Sequence, residues 1–412
     1  MMGKPLTFLI GPEEHAPFYK QKDEVMSQNE VYGFMKPVFG AGIVYDADAK
    51  RRAQQVQHTA DGLKTARLQS YIPKIEKETR QYLKAWGGEG ELDLLHALSE
   101  LTILTASRCL HGDEIRENMF VEVSELYHDL DKGIQPLSIF WPNAPIPSHF
   151  KRNKARKEMV RLFGKVIAER REKKAAGVLD EKTDMLQVYM DMVYKDGDRN
   201  TDDHVTGMLI ALLFAGQHTS SIASTWTALY VAAHSDIARR VNAEQVRRYS
   251  SGADTAVTWD HVKDMELLHN CMREALRMHP PLIFVMRYAR KAFTVTSGGR
   301  SYTVPKGDIC FSSPAVAMRM PEVFAEPDRF DPDRFAPPRE EHRQPYAYLG
   351  FGAGMHQCIG QQFGFVQVKT ILSVLLRSYE IELVGKLPEP DYTAMVVGPK
   401  SEGCRVRYRR RK

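Results

Sequence analysis

The stretch YLGFGAGMHQCIG (348–360) decides how the rest of the chain is read. Gly350, Gly352 and Gly354 crowd the residues before Cys358, and the apolar spacing that follows predicts a helix over 359–379. Glycine allows tight turns and the close approach of a flat ligand to the backbone. A cysteine at a helix N-terminus faces free N–H groups and the positive end of the helix dipole, which favour the thiolate, the form that binds a soft metal ion. The bland alternative is a buried, inert cysteine after a glycine turn, and it is the default for Cys109, Cys271, Cys310 and Cys404.

Two further segments carry chemistry. CMREALRMHPPL (271–282) sets Glu274 and Arg277 three residues apart on one predicted helix that ends at Pro280-Pro281, so the two side chains share a face. Alone, such a pair reads most simply as a solvated ion pair. MLIALLFAGQHTSS (208–221) begins as a helix apolar nearly all round and ends in Gln, His, Thr and Ser. Taken alone, Thr219 would bond back to the carbonyl one turn earlier and His218 would be a satisfied core histidine.

The organisation around these segments follows from proline. None occurs over 148–279, whereas 13 of the 22 lie over 280–399, so a long helical region gives way to turns and strands. Helical spacing runs over Met159–Lys174 and Met185–Tyr194. Thr201-Asp202-Asp203 then caps a helix reaching about Ala233, roughly 45 Å at 1.5 Å per residue. FTVTSGGRSYTVPKG (293–307) alternates with period two around Gly298-Gly299 and predicts a hairpin. The reading is a mainly α chain, one large helical domain over 1–412 with a small β-rich lobe.

Composition bounds the function. The 412 residues are 43% hydrophobic and 26% charged, as in globular proteins. The net charge of +5 owes much to the terminal RVRYRRRK, read as a solvated tail, so no nucleic-acid partner is expected. Five cysteines without a CxxC pair argue against disulfides and zinc. No apolar stretch reaches the ~20 residues of a spanning helix, Met208–Gly216 coming nearest. The segment MMGKPLTFLIGPEE (1–14) reads as extended chain entered midway.

Phe351, Gly354, Cys358 and Gly360 together resemble the FxxGxxxCxG haem-binding pattern of the cytochrome P-450 monooxygenases. The resemblance implies the P-450 fold with haem b as cofactor. Cys358 would be the iron's axial ligand, its thiolate pushing electron density to favour O–O cleavage. It makes Glu274 and Arg277 the family's ExxR element with Arg334 of PDRF as third member, a buried triad on the proximal haem side. AGQHTS (215–220) then resembles the distal AGxxT element, with Thr219 and His218 as a proton relay to dioxygen. Ordered proton supply matters because leakage wastes reducing equivalents.

Where the wider family has an acid this chain has His218, a departure that resembles the sterol 14α-demethylase branch. YGFMKPVFGAGIVYD (32–46) is similar to that branch's YxxxxPxFGxxVxYD pattern at Tyr32, Pro37, Phe39, Gly40, Tyr45 and Asp46, with Ile43 for valine, a volume-similar swap. The resemblance covers the chain from Pro5 onward. It implies three successive oxidations of a sterol 14α-methyl group, through alcohol and aldehyde to formate release, with NADPH electrons brought by a reductase. Tyr32, Tyr45, Arg287 and His356 would hold the haem propionates, while Ala53 and Val56 stand where a further basic residue is usual, leaving Arg52 as the neighbouring candidate. Phe34, Phe39, Ala211, Phe214, Ala215, Leu282, Phe284, Met286 and Met395 would line the sterol pocket. Phe34 implies a preference for obtusifoliol- or norlanosterol-type substrates.

The resemblance further implies azole-type inhibitors at the iron, a monomer, and in the full-length family form an anchor on the cytosolic face of the endoplasmic reticulum. The usual anchor and first helix are not found in the sequence, which by this reading would be soluble or peripheral. A hydroperoxide-rearranging haem-thiolate enzyme and a non-catalytic haem or sterol binder are the competing readings. The intact AGxxT element weighs against the first.

Overall fold

A computed structural model describes residues 5–178, 180–248 and 255–411. Its axis is the helix Asp202–Ala233, started by the Thr201 hydroxyl, which accepts from the His204 N–H at 3.2 Å, with Asp202 and Asp203 in the first turn. Helices Leu94–Ala106, Pro147–Ala175, Glu266–Met278 and Gln361–Ser378 pack against it. The central helix is long and apolar enough to cross a membrane by length and composition, which corrects the sequence expectation. Here 61% of its most apolar window is buried as the core of the helical body.

The helices at 147–175 and 185–191 extend or trim their expected spans. Pro147 starts the first twelve residues before Met159, because its missing N–H is an orphan at a helix start in any case. Met185–Asp191 stops short of Tyr194, where the chain turns into a bridge between Val193 and Arg199. The helix after the cysteine loop runs over Gln361–Ser378, close to expectation.

The β-rich lobe holds a second apolar cluster, built on Leu9, Phe18, Tyr19, Met26, Ala289, Phe293, Val304 and Cys310. Its largest sheet joins Leu6–Leu9 in parallel to Ile309–Ser312, which pairs with Val285–Ala289, which pairs with Met26–Ser27. The hairpin forms as expected, Phe293–Ser297 on Arg300–Val304, because Gly298 and Gly299 take φ of 56° and 76°.

The basic C-terminus is not a solvated tail. Arg405–Arg410 is the middle strand of a sheet between Glu89–Asp93 and Tyr379–Leu383, with Val406 and Tyr408 turned inward. Its arginines pair outward, Arg405 and Arg407 with Glu91 and Arg409 with Glu380. Cross-strand carboxylates and a period-two apolar face thus fold a segment that composition alone reads as solvent-bound.

Candidate active site

The glycine loop closes on itself before Cys358. The Cys358 N–H donates to the Phe351 carbonyl at 2.9 Å, and Phe351 packs on Phe365 of the following helix with ring centroids 4.9 Å apart. Gly354, at φ 65°, presses the loop so closely on helix Pro12–Lys20 that a Cβ there would lie 2.1 Å from the Tyr19 carbonyl oxygen. Gly360 caps the helix Gln361–Ser378. Cys358 is the one exposed cysteine; the other four are buried, without a disulfide.

The Cys358 residue is open to solvent, yet protein atoms surround its thiol closely enough for burial to act on it. That surrounding pushes the Cys358 thiol above its ordinary value, against the lowering effect of the Gly360 N–H. The N–H at the helix start acts in the direction expected from the sequence, and burial outweighs it. A metal ion displaces the proton when it binds.

The central helix is not buried throughout its apolar half, as its composition implied. Val205–Ile210 and Ser220–Val231 are buried, whereas over 211–219 only Leu213 is, Ala215 being exposed. A Cβ on Gly216 would meet nothing within 4 Å, so a flat group has room against this face. Thr219 bonds back to the Ala215 carbonyl at 2.7 Å, the local bond that hydroxyls make in helices. His218 reaches a partner that no motif flagged: its Nε2 lies 3.2 Å from Asp131 Oδ1 of helix Phe120–Lys132. No hydrogen bond joins His218 to Thr219 among the described residues.

Cations and phenols gather beside the glycine loop. Arg287 is 2% exposed, donates to the Phe18 carbonyl at 2.7 Å and lies over the Phe18 ring. It forms no ion pair among the described residues, and burial lowers its pKa. A buried guanidinium so placed fits a ligand carboxylate. Tyr32 stacks on Tyr45 at 4.9 Å and its hydroxyl accepts from the Met286 N–H at 3.0 Å. Desolvation raises both phenols, so each stays protonated and able to donate.

Asp23, which sequence reasoning missed, stands between two members of this group. It pairs with Arg52 and accepts from His356 Nε2 at 3.2 Å. His356 is driven down to about 4 by burial, then by Arg287, so the ring is neutral. Ala53 and Val56 turn to solvent while Arg52 is buried, which makes Arg52 the inward basic residue of helix Ala49–Gly62. The donor set of one thiol, an unpaired buried guanidinium and two protonated phenols fits a haem.

The expected pocket residues fall in two linked groups. Phe34 and Phe39 are buried; Phe39 meets Phe214 edge-on at 5.9 Å, and Phe214 meets Tyr127 at 4.5 Å. Phe34 lies 6.3 Å from Tyr32. Ala211 and Ala215 are on the uncovered part of the central helix. Leu282, Phe284 and Met395 are exposed, and the Val397 N–H donates to the Pro281 carbonyl at 2.8 Å, holding their two segments together. Met286 links the groups through its backbone bond to Tyr32.

Glu274, Arg277 and Arg334 meet in full burial. Arg277 Nε donates to Glu274 Oε2 at 2.7 Å and Arg334 Nε to Oε1 at 2.9 Å, all three side chains being 0% exposed. Glu341 adds a second carboxylate at 2.6 Å from Arg334 Nη1. Carbonyls of Met318 and Pro327 accept from Arg277, and those of Ala325, Glu326 and Arg329 from Arg334. Two guanidiniums and two carboxylates balance, which is the condition for burying charge.

A mainly helical body around one long, locally uncovered helix, with a cysteine on a glycine loop and a buried Glu–Arg–Arg triad, defines a haem-thiolate protein. The family model for cytochrome P450 matches residues 1–404, and the chain belongs to that family. Among curated relatives, the chain is 45% identical over 413 aligned residues to obtusifoliol 14-alpha demethylase of Sorghum bicolor, covering 99% of this chain and 82% of that one. It is 44% identical to sterol 14-demethylase of Arabidopsis thaliana (100% and 83%). It is 40% identical to lanosterol 14-alpha demethylase of Mus musculus (100% and 80%). A retinoic acid bound cyanobacterial CYP120A1 superposes with a TM-score of 0.85 at 22% identity, over 100% of this chain and 90% of that one, a likeness of fold.

Proposed function

We propose that the protein is a sterol 14α-demethylase, an NADPH- and dioxygen-dependent monooxygenase that removes the 14α-methyl group of a sterol precursor as formate. One observation carries the reading. Relatives with 40–45% identity over 99–100% of the chain bear sterol, obtusifoliol or lanosterol 14-demethylase names. When bound, the haem supplies a redox iron at which dioxygen is activated.

The chain's own residues do the rest in this reading. Cys358 Sγ holds the iron, with Phe351, Gly354 and Gly360 shaping the loop around it. Arg287, Tyr32, Tyr45 and His356 hold the propionates, with Arg52 serving for the basic residue missing at Ala53 and Val56. Glu274, Arg277 and Arg334 brace the proximal side. Thr219 and the His218–Asp131 pair would move protons to the dioxygen site. Phe34, Phe39, Ala211, Phe214, Ala215, Leu282, Phe284, Met286 and Met395 enclose the rigid apolar sterol and exclude water.

The reading extends to an NADPH-cytochrome reductase as electron donor, inhibition by azoles that ligate the iron, a monomeric single domain, and work at the cytosolic face of the endoplasmic reticulum. The test is reconstitution with such a reductase and a panel of 14α-methyl sterols, with sterol product and formate identified by mass. NADPH-dependent formate release from one of these sterols is the expected result. Sterol binding without any turnover, or rearrangement of a hydroperoxide without NADPH, would overturn it.

A further inference from the structure

One guanidinium ties three elements together beside the aromatic group of Phe34, Phe39 and Phe214. The short helix Lys36–Phe39 ends at Gly40, at φ 109°, so its last carbonyls have no intrahelical donor. Arg156, from helix Pro147–Ala175, supplies one: its Nη2 donates to the Phe39 carbonyl at 3.0 Å. The same side chain grips Asp203, in the first turn of the central helix, through Nη1–Oδ1 at 2.7 Å and Nη2–Oδ2 at 2.9 Å.

Two glycines make room for this arrangement. A Cβ on Gly40 would lie 2.1 Å from Arg156 Nη2, and a Cβ on Gly207 of the central helix 2.1 Å from the Phe39 carbonyl oxygen. The Phe39 carbonyl is thus wedged between the guanidinium and the central helix. Its ring, fixed to the same backbone, meets Phe214 edge-on at 5.9 Å and Tyr45 at 6.3 Å. The Arg156 side chain is 14% exposed and Asp203 47%, so the guanidinium is held inside while the carboxylate faces solvent.

We propose that Arg156 is a positioning residue for the substrate, setting through the Phe39 carbonyl where the Phe39 ring stands against Phe214. The inference rests on the sterol-pocket reading given above. The planar fork spreads these three bonds over two nitrogens in fixed directions, whereas a lysine ammonium offers its three donors from one point, so lysine is a partial replacement.

The test uses purified holoenzyme of the wild type, Arg156→Ala and Arg156→Lys. Arg156→Ala should keep its haem content and reduced-CO band, and should speed hydrogen exchange at the Gly40 and Gly42 amides. It should also raise KM and the apparent Kd for a 14α-methyl sterol by about tenfold, with kcat changed less than about twofold. Arg156→Lys should fall between it and the wild type. Wild-type exchange and sterol affinity in Arg156→Ala would overturn the proposal, as would equal loss of kcat and affinity together with haem. If Arg156→Ala does not fold, wild-type exchange and affinity in Arg156→Lys overturn it equally. A wild type that binds no 14α-methyl sterol would sink the functional reading instead, and the exchange result then decides the clamp alone.

Discussion

His218 and Asp131, 87 positions apart on different helices, face each other at 3.2 Å, and each side chain is about one-third exposed, 34% and 37%. They sit at an open cavity of about 280 Å³ that Ser124, Glu125, Tyr127, His128 and Gln217 also line. A water needs only ~10–15 Å³ and two to four polar partners, so this side of the central helix can be wet. Replacing Asp131 by Asn keeps the shape and removes the charge that orients the imidazole. Sterol product per NADPH consumed should drop about tenfold or more, with an unchanged reduced-CO band. Unchanged coupling would show that the pair is structural.

Thr219 presents a different case, because its hydroxyl is bonded within its own helix, to the Ala215 carbonyl at 2.7 Å. A purely local role predicts that Thr219→Val is as good as Thr219→Ser. The relay role predicts that Thr219→Ala and Thr219→Val both waste NADPH as peroxide while Thr219→Ser stays coupled. Peroxide and NADPH assayed side by side separate the two.

The buried triad makes a stability prediction whose size discriminates it from surface ion pairs. Glu274→Gln leaves Arg277 and Arg334 with one fewer charge in a site of 0% exposure, which should cost about 3–5 kcal/mol. The exposed pair Arg240–Asp333, at 46% and 51% exposure, is the control. Arg240→Ala should change stability by less than about 1 kcal/mol. Denaturant midpoints of both variants decide the matter, and similar losses would contradict the burial argument.

His279 links stability to pH. Its ring stacks on Trp226 at 3.7 Å and shares a hydrogen bond of 2.8 Å with the Tyr230 hydroxyl. Burial, then the nearby Arg319 and Arg277, hold it down at about 3 from the ordinary 6.5. Between those values the unfolded chain binds the proton and the folded one does not, so stability is present above 6.5 and is lost as pH falls toward 3. His279→Phe keeps an aromatic stack without the proton. Denaturant midpoints at pH 7 and pH 5 should differ less in this variant than in the wild type; an equal difference would place the acid sensitivity in other groups.

Phe34 is the specificity prediction. It is 7% exposed and lies beside Tyr32, so a smaller residue there opens space inside the aromatic group. Phe34→Leu should shift turnover from sterols with one C4 methyl toward C4-dimethyl sterols, by the 10- to 200-fold that one methyl group is worth at most. Equal preference in both proteins would remove Phe34 as the determinant.

Much of the molecule was legible because its signals are local. The cysteine loop, the Thr201 cap, the Gly298-Gly299 hairpin and the pairing of Glu274 with Arg277 depend on residues within a few positions of one another. Backbone sterics and hydrogen-bond geometry act over that range, so spacing alone specifies them. The likeness between YGFMKPVFGAGIVYD and its counterparts placed Tyr32, Phe34 and Phe39 in the same way.

Other features had no local signal. Asp131, Asp23 and Arg156 are charged residues on helix or turn surfaces, and a sequence cannot tell which charge will meet which when the partners are 87, 333 or 47 positions away. The terminal RVRYRR became a middle strand because two distant strands offered Glu91 and Glu380. Even the central helix was only half read from its composition, which marks it as core throughout. Packing covers 211–219 only in part: Phe214 and His218 meet Tyr127 and Asp131 of the helix Phe120–Lys132, while Ala215 stays exposed and only Leu213 is buried. The sequence by itself determined the cysteine loop, the long helix and the family. Tertiary structure alone decided which side chains stay uncovered along the central helix and which charges are paired, because those depend on contacts between segments that no short-range rule connects.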